Sequence, residues 1–152
     1  MNRSEMQQRL EAIQKEAEQI KQALAKTFPT IQDAKPGDVL ADGCIVIQKF
    51  DGAALIAAPV LTECRCVWGQ FEYVFNNLAK QGFTLSQWFI PSVEQLKIAY
   101  KVAKQHFSAT YYWSSTEASS TTACNVFFTN GSHYTYSKSF SNCVRAFRLV
   151  TF

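Results

Sequence analysis

Five cysteines and two histidines are the side chains of this chain best suited to metal or redox chemistry. Structural zinc sites take four such ligands, usually as closely spaced pairs. Cys64 and Cys66 are separated by one residue, which is tighter than the usual zinc knuckle, and the sequence has no partner pair. His106 falls on a predicted helix and His133 beside a predicted turn. The sequence therefore predicts no metal and no cofactor, and an odd number of cysteines without CxxC spacing favours reduced thiols.

Hydrolytic and phosphate-transfer chemistry has no motif in this sequence either. Nucleophile elbows, phosphate-binding glycine-rich loops and HExxH helices are all missing. The acidic neighbours Glu16 and Glu18 fall on a predicted exposed helix, and Asp38 and Asp42 fall in turn-forming segments. We interpret these carboxylates as solvated surface charge. The sequence therefore predicts a protein that is not an enzyme.

Charge and hydropathy limit the classes of partner. The 152 residues include 15 basic and 12 acidic side chains, a net charge of +3, with no dense run of Lys or Arg. This pattern argues against a nucleic-acid partner. The N-terminus has no apolar stretch after its first basic residue, and no segment reaches the roughly 18 apolar residues of a membrane span. We expect a protein made in the cytoplasm without a signal peptide and not inserted into a membrane.

The N-terminal segment has the pattern of a coiled coil. Residues 4–26 contain no Gly or Pro, and apolar residues recur at alternating spacings of four and three. These seam residues are Met6, Leu10, Ile13, Ala17, Ile20 and Leu24. Isoleucine at the d positions disfavours two strands, so we expect a trimer or a tetramer. Glu16 and Lys21 would face each other between parallel chains. A lone amphipathic helix folded back on its own domain is the alternative.

The rest of the chain predicts an α+β domain. We expect an oligomerising helix over 1–28, a connector over 29–36 and a binding domain over 37–152. Asp51-Gly52 joins two β-rich runs and predicts a hairpin. Two amphipathic helices should follow, one ending at Gly82 and one beginning with a capping box at Ser92. From Tyr111 onward the composition favours strands and loops.

Asn130-Gly131 predicts a second hairpin with a two-residue type I′ turn. The predicted register pairs Phe128 with His133, Phe127 with Tyr134, Val126 with Thr135, and Asn125 with Tyr136. Alternation then divides the residues between two faces. The face expected to join the core carries Cys124, Val126 and Phe128. The face expected to point outward carries Asn125, Phe127, Tyr134 and Tyr136.

The outward face has the composition of a ligand-binding surface. Tyr offers a large contact area at low entropic cost, while Ser and Asn supply adaptable hydrogen bonds. The predicted ligand-binding residues are Ser119, Thr121, Asn125, Phe127, His133, Tyr134, Tyr136, Ser139 and Asn142. An ordinary half-exposed antiparallel sheet is the alternative, because Tyr and Thr are also good strand formers.

Four segments resemble a known family. They are QWFIPSVEQL (87–96), YYWSSTE (111–117), NVFFTNG (125–131) and CVRAFR (143–148). In order and spacing they resemble the C-type-lectin-like domains of phage fibre and tail-tip proteins and of the variable proteins of diversity-generating retroelements. The resemblance covers roughly residues 37–152, most clearly from Trp88 onward. It implies a lectin-like fold preceded by the coiled-coil helix, with Trp88 and Trp113 in the core and Arg145 and Arg148 tying loops together.

The resemblance also bears on function. It implies ligand contacts between YWSSTE and VRAFR and display in oligomers, usually trimers, on a virion or cell surface. Calcium-dependent lectins of this fold carry E-P-N, Q-P-D or W-N-D triplets, and none occurs here, so any glycan would be bound without calcium. Stacking on Tyr134 or Tyr136, with amide hydrogen bonds from Asn125 or Asn142, would hold such a glycan.

Enzymes of the same fold provide a further comparison. Formylglycine-generating enzymes hold copper with a closely spaced cysteine pair near the closing strand, where this chain has Cys143 alone. Cys124 is on an earlier predicted strand, so the two thiols would form either a core pair or an opportunistic disulfide. Related oxygenases use three histidines, one more than this chain has.

Three function classes follow. The leading one is a virion structural protein, expected as a homotrimer with a tetramer as the alternative, whose head binds a host surface receptor, a glycan or another virion protein. The second is a purely architectural virion component that decorates or connects particle parts. The third is a metal-dependent oxidase, which the missing ligands disfavour.

Overall fold

The fold is α+β, with three α-helices and two β-sheets among the described residues. The computed structural model describes residues 2–152, with the backbone alone at residues 25 and 26. The helices are α1 (Arg3–Thr27), α2 (Glu72–Lys80) and α3 (Val93–Ala103), with short 3-10 helices at Val60–Thr62 and Lys104–His106. The strands are β1 (Ile45–Phe50), β2 (Ala53–Ala57), β3 (Cys64–Val67), β4 (Trp88–Phe89), β5 (Tyr111–Glu117), β6 (Thr122–Phe127), β7 (His133–Ser137), β8 (Ser141–Val144) and β9 (Phe147–Thr151).

Helix α1 stands away from the rest of the chain. It begins at a capping box in which Asn2 and Glu5 bond each other's backbone N–H groups, and it ends where Phe28 becomes extended before Pro29. All six seam residues are solvent-exposed, and the five large ones keep between 45% and 61% of their surface. The helix therefore does not fold back on its own domain, and its apolar stripe has no partner within the single chain.

Lys49 fixes the connector to the domain. Its Nζ donates hydrogen bonds to the carbonyl oxygens of Ile31 at 2.6 Å, Gln32 at 2.9 Å and Ala34 at 3.1 Å. The same ammonium lies 5.1 Å from the ring centre of Phe152. All three ammonium donors are thereby satisfied, and the chain leaving α1 is held against the end of β1.

Two sheets enclose the core with α3. The strand order is β1-β2-β9-β4 in one sheet and β3-β8-β5-β6-β7 in the other. The hairpin of β1 and β2, the Gly82 end of α2 and the Ser92–Gln95 capping box of α3 are confirmed. Trp88 and Trp113 are both buried, as expected, and Trp113 Nε1 donates to the Cys66 carbonyl at 3.0 Å.

The predicted register of the β6–β7 hairpin is wrong by two residues. Val126 is opposite His133, Asn125 opposite Tyr134, and Cys124 opposite Thr135. The connecting loop is 128–131, closed by a hydrogen bond from Phe127 N–H to the Ser132 carbonyl at 2.9 Å. A type I′ turn needs positive φ at both central residues, but Gly131 alone has it, at 77°, and Asn130 does not. Because side chains alternate with a period of two, a shift of two residues preserves the faces.

Gly131 is required by space as well as by backbone conformation. A Cβ added there would lie 2.5 Å from Tyr100 Cδ1. Gly131→Ala should lower the free energy of unfolding by about 2–4 kcal/mol, from left-handed strain plus the clash. Gly82→Ala is the matched control, since φ is +86 and open space surrounds the site, and it should cost about 1–2 kcal/mol. Urea unfolding measures both, and equal losses would contradict a role for the Tyr100 contact.

Candidate ligand-binding surface

Five aromatic rings lie together on the side of the five-stranded sheet that faces away from α3. This aromatic face consists of Tyr111, Phe127, Tyr134, Tyr136 and Phe140. Tyr111 is at its centre, with ring centroids 4.2 Å from Phe127, 4.9 Å from Tyr136 and 6.1 Å from Tyr134. The neighbouring phenol of Tyr136 raises the pKa of Tyr111. The rings therefore hold one another in fixed positions.

Strand alternation explains why these rings share a face. Tyr111 is opposite Phe127 in the β5–β6 pairing, and Tyr134 and Tyr136 are two residues apart on β7. The intervening residues, such as Tyr112 and Val126, point the other way and pack in the core beneath α3. Alternation thus places one side of β5, β6 and β7 beneath α3 and the aromatic face on the other side, where Trp113 and Ala123 are buried next to the exposed rings.

The loop beside the aromatic face is tied down by hydrogen bonds. Ser119 Oγ accepts from the backbone N–H groups of Thr121 at 3.2 Å and Thr122 at 3.1 Å. Lys138 Nζ donates to the Ser120 carbonyl at 3.1 Å, and Lys138 N–H donates to the Thr121 carbonyl at 2.9 Å. The loop is therefore held in one conformation by its own hydrogen bonds.

The charge beside this face is neutralised. Lys138 Nζ lies 3.4 Å from Glu117 Oε2 and 4.5 Å from the ring centre of Trp68. Trp68 Nε1 in turn donates to the Ser114 carbonyl at 2.8 Å. The aromatic face and its neighbouring loop thus present aromatic rings and hydroxyl groups. The ammonium group beside them, Lys138, is paired with Glu117.

No protein-family model and no curated protein matches this chain.

Six of the nine predicted ligand-binding residues lie on or beside this surface. Tyr134 is exposed, Tyr136 and Phe127 are half-buried within the ring cluster, and the other three are exposed on adjoining loops. Those three are Ser119, Thr121 and Ser139. Ser139 is held by a hydrogen bond between its hydroxyl and that of Ser137 at 2.8 Å. The structure therefore brings together the tyrosines and the hydroxyl-bearing loops.

Three predicted ligand-binding residues are not available on this face. Asn125 is 0% exposed, because it lies on the central strand β6 between Trp113 and Tyr134, its larger cross-strand neighbours. Asn142 is buried on β8, where it is opposite Cys66. His133 is exposed but alternates with Tyr134, so its side chain is on the opposite face. The assignments of Asn125 and Asn142 were wrong because both side chains are buried, whereas His133 stays a prediction on the other face of the hairpin.

Two rings of the aromatic face were not among the residues predicted from the sequence. Tyr111 belongs to YYWSSTE, which the family resemblance marks as framework, and Phe140 is in the turn after β7. The alternation of Tyr111 and Trp113 on one face was the available signal for Tyr111. No periodic signal exists for Phe140, because it lies outside a strand.

The buried polar cluster around Arg145 is structural. Arg145 is 1% exposed, and its guanidinium donates to the Ala58 carbonyl at 3.2 Å, the His106 carbonyl at 3.1 Å and Glu63 Oε1 at 2.8 Å. The Tyr112 hydroxyl donates to the same Glu63 oxygen. Arg148 Nη2 donates to Gln87 Oε1 at 3.2 Å. The prediction that an arginine ties carbonyls and a carboxylate together is confirmed for Arg145. Arg148 instead makes a single hydrogen bond to a side-chain amide.

The cysteines are free thiols. Cys124 is on β6 and Cys143 is on β8, with β5 between these two strands. Two strand spacings amount to roughly 10 Å, which exceeds the Cα separation of a disulfide. The alternative in which Cys124 and Cys143 form a disulfide is therefore wrong. Burial raises the pKa of Cys143 to about 11, and a hydrogen bond to Cys66 raises that of Cys64.

Metal-ligand clusters and membrane spans are both missing from the described part of the chain. No group of three or more His, Cys, Asp or Glu side chains within residues 2–152 is placed to hold a metal ion. None of the helices in that range is long and apolar enough to cross a membrane.

Proposed function

We propose that this chain is a non-enzymatic virion protein of a phage, an oligomeric fibre-type component whose C-type-lectin-like head binds a host surface receptor or glycan. The aromatic face is the observation that carries this proposal. It combines several mutually packed rings with a hydrogen-bonded loop rich in hydroxyl groups. Rigid aromatic contacts beside adaptable polar groups are the usual composition of a protein recognition surface.

The ligand class that best fits this surface is a neutral glycan. Sugar rings have apolar C–H faces that stack on Tyr side chains and hydroxyls that bond to Ser and Thr. Lys138 is already paired with Glu117, so the surface provides no unpaired cation to attract an acidic ligand. Binding should therefore change little with ionic strength, because screening acts mainly on unpaired exposed charges.

Oligomerisation through α1 completes the proposal. A continuous exposed apolar stripe on a helix marks an interaction surface rather than a solvated one. Isoleucine at the d positions favours three or four strands. The resemblance to phage fibre proteins favours the homotrimer, with a tetramer as the alternative. Several copies would turn weak individual contacts into firm attachment to a repetitive host surface through effective concentration.

Removing two phenol rings of the aromatic face tests the ligand-binding role. The double variant Tyr134→Ala, Tyr136→Ala should lower affinity for its best neutral ligand on a glycan array by roughly 10- to 100-fold, since each ring supplies stacking area. Tyr73→Ala is the matched control, because Tyr73 is an exposed tyrosine on α2, outside the aromatic face. It should leave binding unchanged.

Particle assembly separates this function from the architectural alternative. Virions carrying the double variant should assemble normally and adsorb poorly to host cells. Normal adsorption together with failed assembly would support an architectural role and overturn receptor binding through this face.

A further inference from the structure

The apolar seam of α1 continues past the end of the helix and onto the head. A groove of about 410 Å³ lies along the second half of the seam. Its lining residues include Ile20, Lys21, Leu24, Phe28, Pro29 and Ala41. Ala41 belongs to the segment that precedes β1, so the head itself forms one end of this groove. A helix packed against the seam would therefore also contact the head.

A second groove begins at the same residue. It has a volume of about 510 Å³, and its lining residues include Ala41, Asp42, Pro59, Leu61, Gln81 and Phe83. We call it the collar groove. Leu61 keeps 76% of its surface exposed, more than any other large hydrophobic side chain in the described part of the chain. A single exposed leucine is ordinary, but this one lies on a groove that meets an unpartnered seam at Ala41.

The charges flanking the seam favour a parallel arrangement of the helices over an antiparallel one. In a parallel arrangement Glu16 at g faces Lys21 at e of the neighbour. In a fully overlapping antiparallel pair, g positions face each other, and Glu16 would meet the Glu16 of the neighbour. Parallel helices place all heads at one end and bring each helix end beside the head of the adjacent copy.

We propose that the collar groove receives residues 20–29 of a second copy of this chain. The proposal rests on the oligomer proposed above and identifies the surface of the head that joins the interface. Three heptads are marginal as an isolated coil, so additional burial by the heads is needed. Asp42 is the charged residue of the collar groove, and Lys21 is the charged residue of the seam groove, so the two surfaces are complementary in sign.

Substitution of Leu61 tests this interface. Leu61→Glu in the full chain should raise the dissociation constant of the oligomer by about 30-fold or more, as expected for a central apolar contact. Val60→Glu is the matched control, because Val60 is 55% exposed on the same 3-10 helix but does not line the collar groove. It should change the constant by less than about threefold. Sedimentation equilibrium measures both.

The outcomes separate the two proposals. A monomeric wild-type chain overturns the oligomer and the collar contact together. An oligomeric wild-type chain that tolerates Leu61→Glu, or that responds equally to both variants, overturns the collar contact alone. Leu61→Ser adds no charge and should weaken association in the same direction. The near-ultraviolet circular dichroism of all three variants should match that of the wild type, because Leu61 and Val60 are exposed and the head stays folded without the oligomer.

Discussion

Replacing Arg145 by Met should lower the free energy of unfolding by about 3–5 kcal/mol. The substitution removes the partner of the Glu63 carboxylate and the donors to the Ala58 and His106 carbonyls. Glu63 would then remain in a largely buried position with only the Tyr112 hydroxyl as a donor. Breaking a buried pair on one side is costly because the remaining charge is not solvated. Urea unfolding monitored by Trp fluorescence gives the value.

An exposed arginine provides the control. Arg65 Nη2 donates one long hydrogen bond to the Ser141 carbonyl at 3.3 Å, and Arg65→Met should change stability by less than about 0.5 kcal/mol. Arg145→Lys should recover little, because an ammonium cannot bridge three acceptors with a planar fork. A loss below about 1 kcal/mol for Arg145→Met would contradict the central position of this cluster.

Local signals predicted the elements of this fold well. The capping box of Ser92 and Gln95 involves residues three apart, so its hydrogen bonds follow from sequence alone. The same holds for the end of α2 at Gly82, where a left-handed residue is required. The two-residue type I′ turn predicted at Asn130-Gly131 was wrong, because an Asn-Gly pair is compatible with more than one kind of loop. Here Asn130 Oδ1 accepts from Ser132 N–H at 2.9 Å, and the loop is longer than two residues.

The sequence predicted the candidate site only for residues whose faces are set by pairing within the β6–β7 hairpin. Tyr134 and Tyr136 were correctly placed on one face because a two-residue error in register preserves alternation. The burial of Asn125 depends on Trp113 of β5, and the sequence pattern of the β6–β7 hairpin does not predict that β5 pairs with β6. The burial of Asn142 depends in the same way on its pairing with β3. Tertiary neighbours, rather than composition, decide which polar residues of a central strand reach the surface.

Charges placed in the seam should abolish the oligomer. The double variant Ile13→Asp, Ile20→Asp puts two carboxylates at d positions, where association would remove them from water. Burying unpaired charge is costly enough to raise the dissociation constant by about 1000-fold or more. The chain should then sediment as a monomer at micromolar concentration, with an unchanged near-ultraviolet spectrum from its head.

The matched control introduces the same charges on the outer side of α1. Gln8 and Gln22 occupy f positions, so Gln8→Asp, Gln22→Asp adds two carboxylates that stay in water after association. This control should keep the wild-type mass. If both double variants dissociate equally, net charge rather than the seam controls association, and the coiled coil is contradicted.

The seam variant also separates avidity from intrinsic affinity. Because its aromatic face is untouched, binding to a soluble monovalent glycan should equal that of the wild type. Binding to a densely coated surface should fall by about 100-fold, since the effective concentration supplied by linked copies is lost. A fall in monovalent affinity as well would mean that neighbouring copies complete the ligand site, and the aromatic face of a single chain would then be insufficient for recognition.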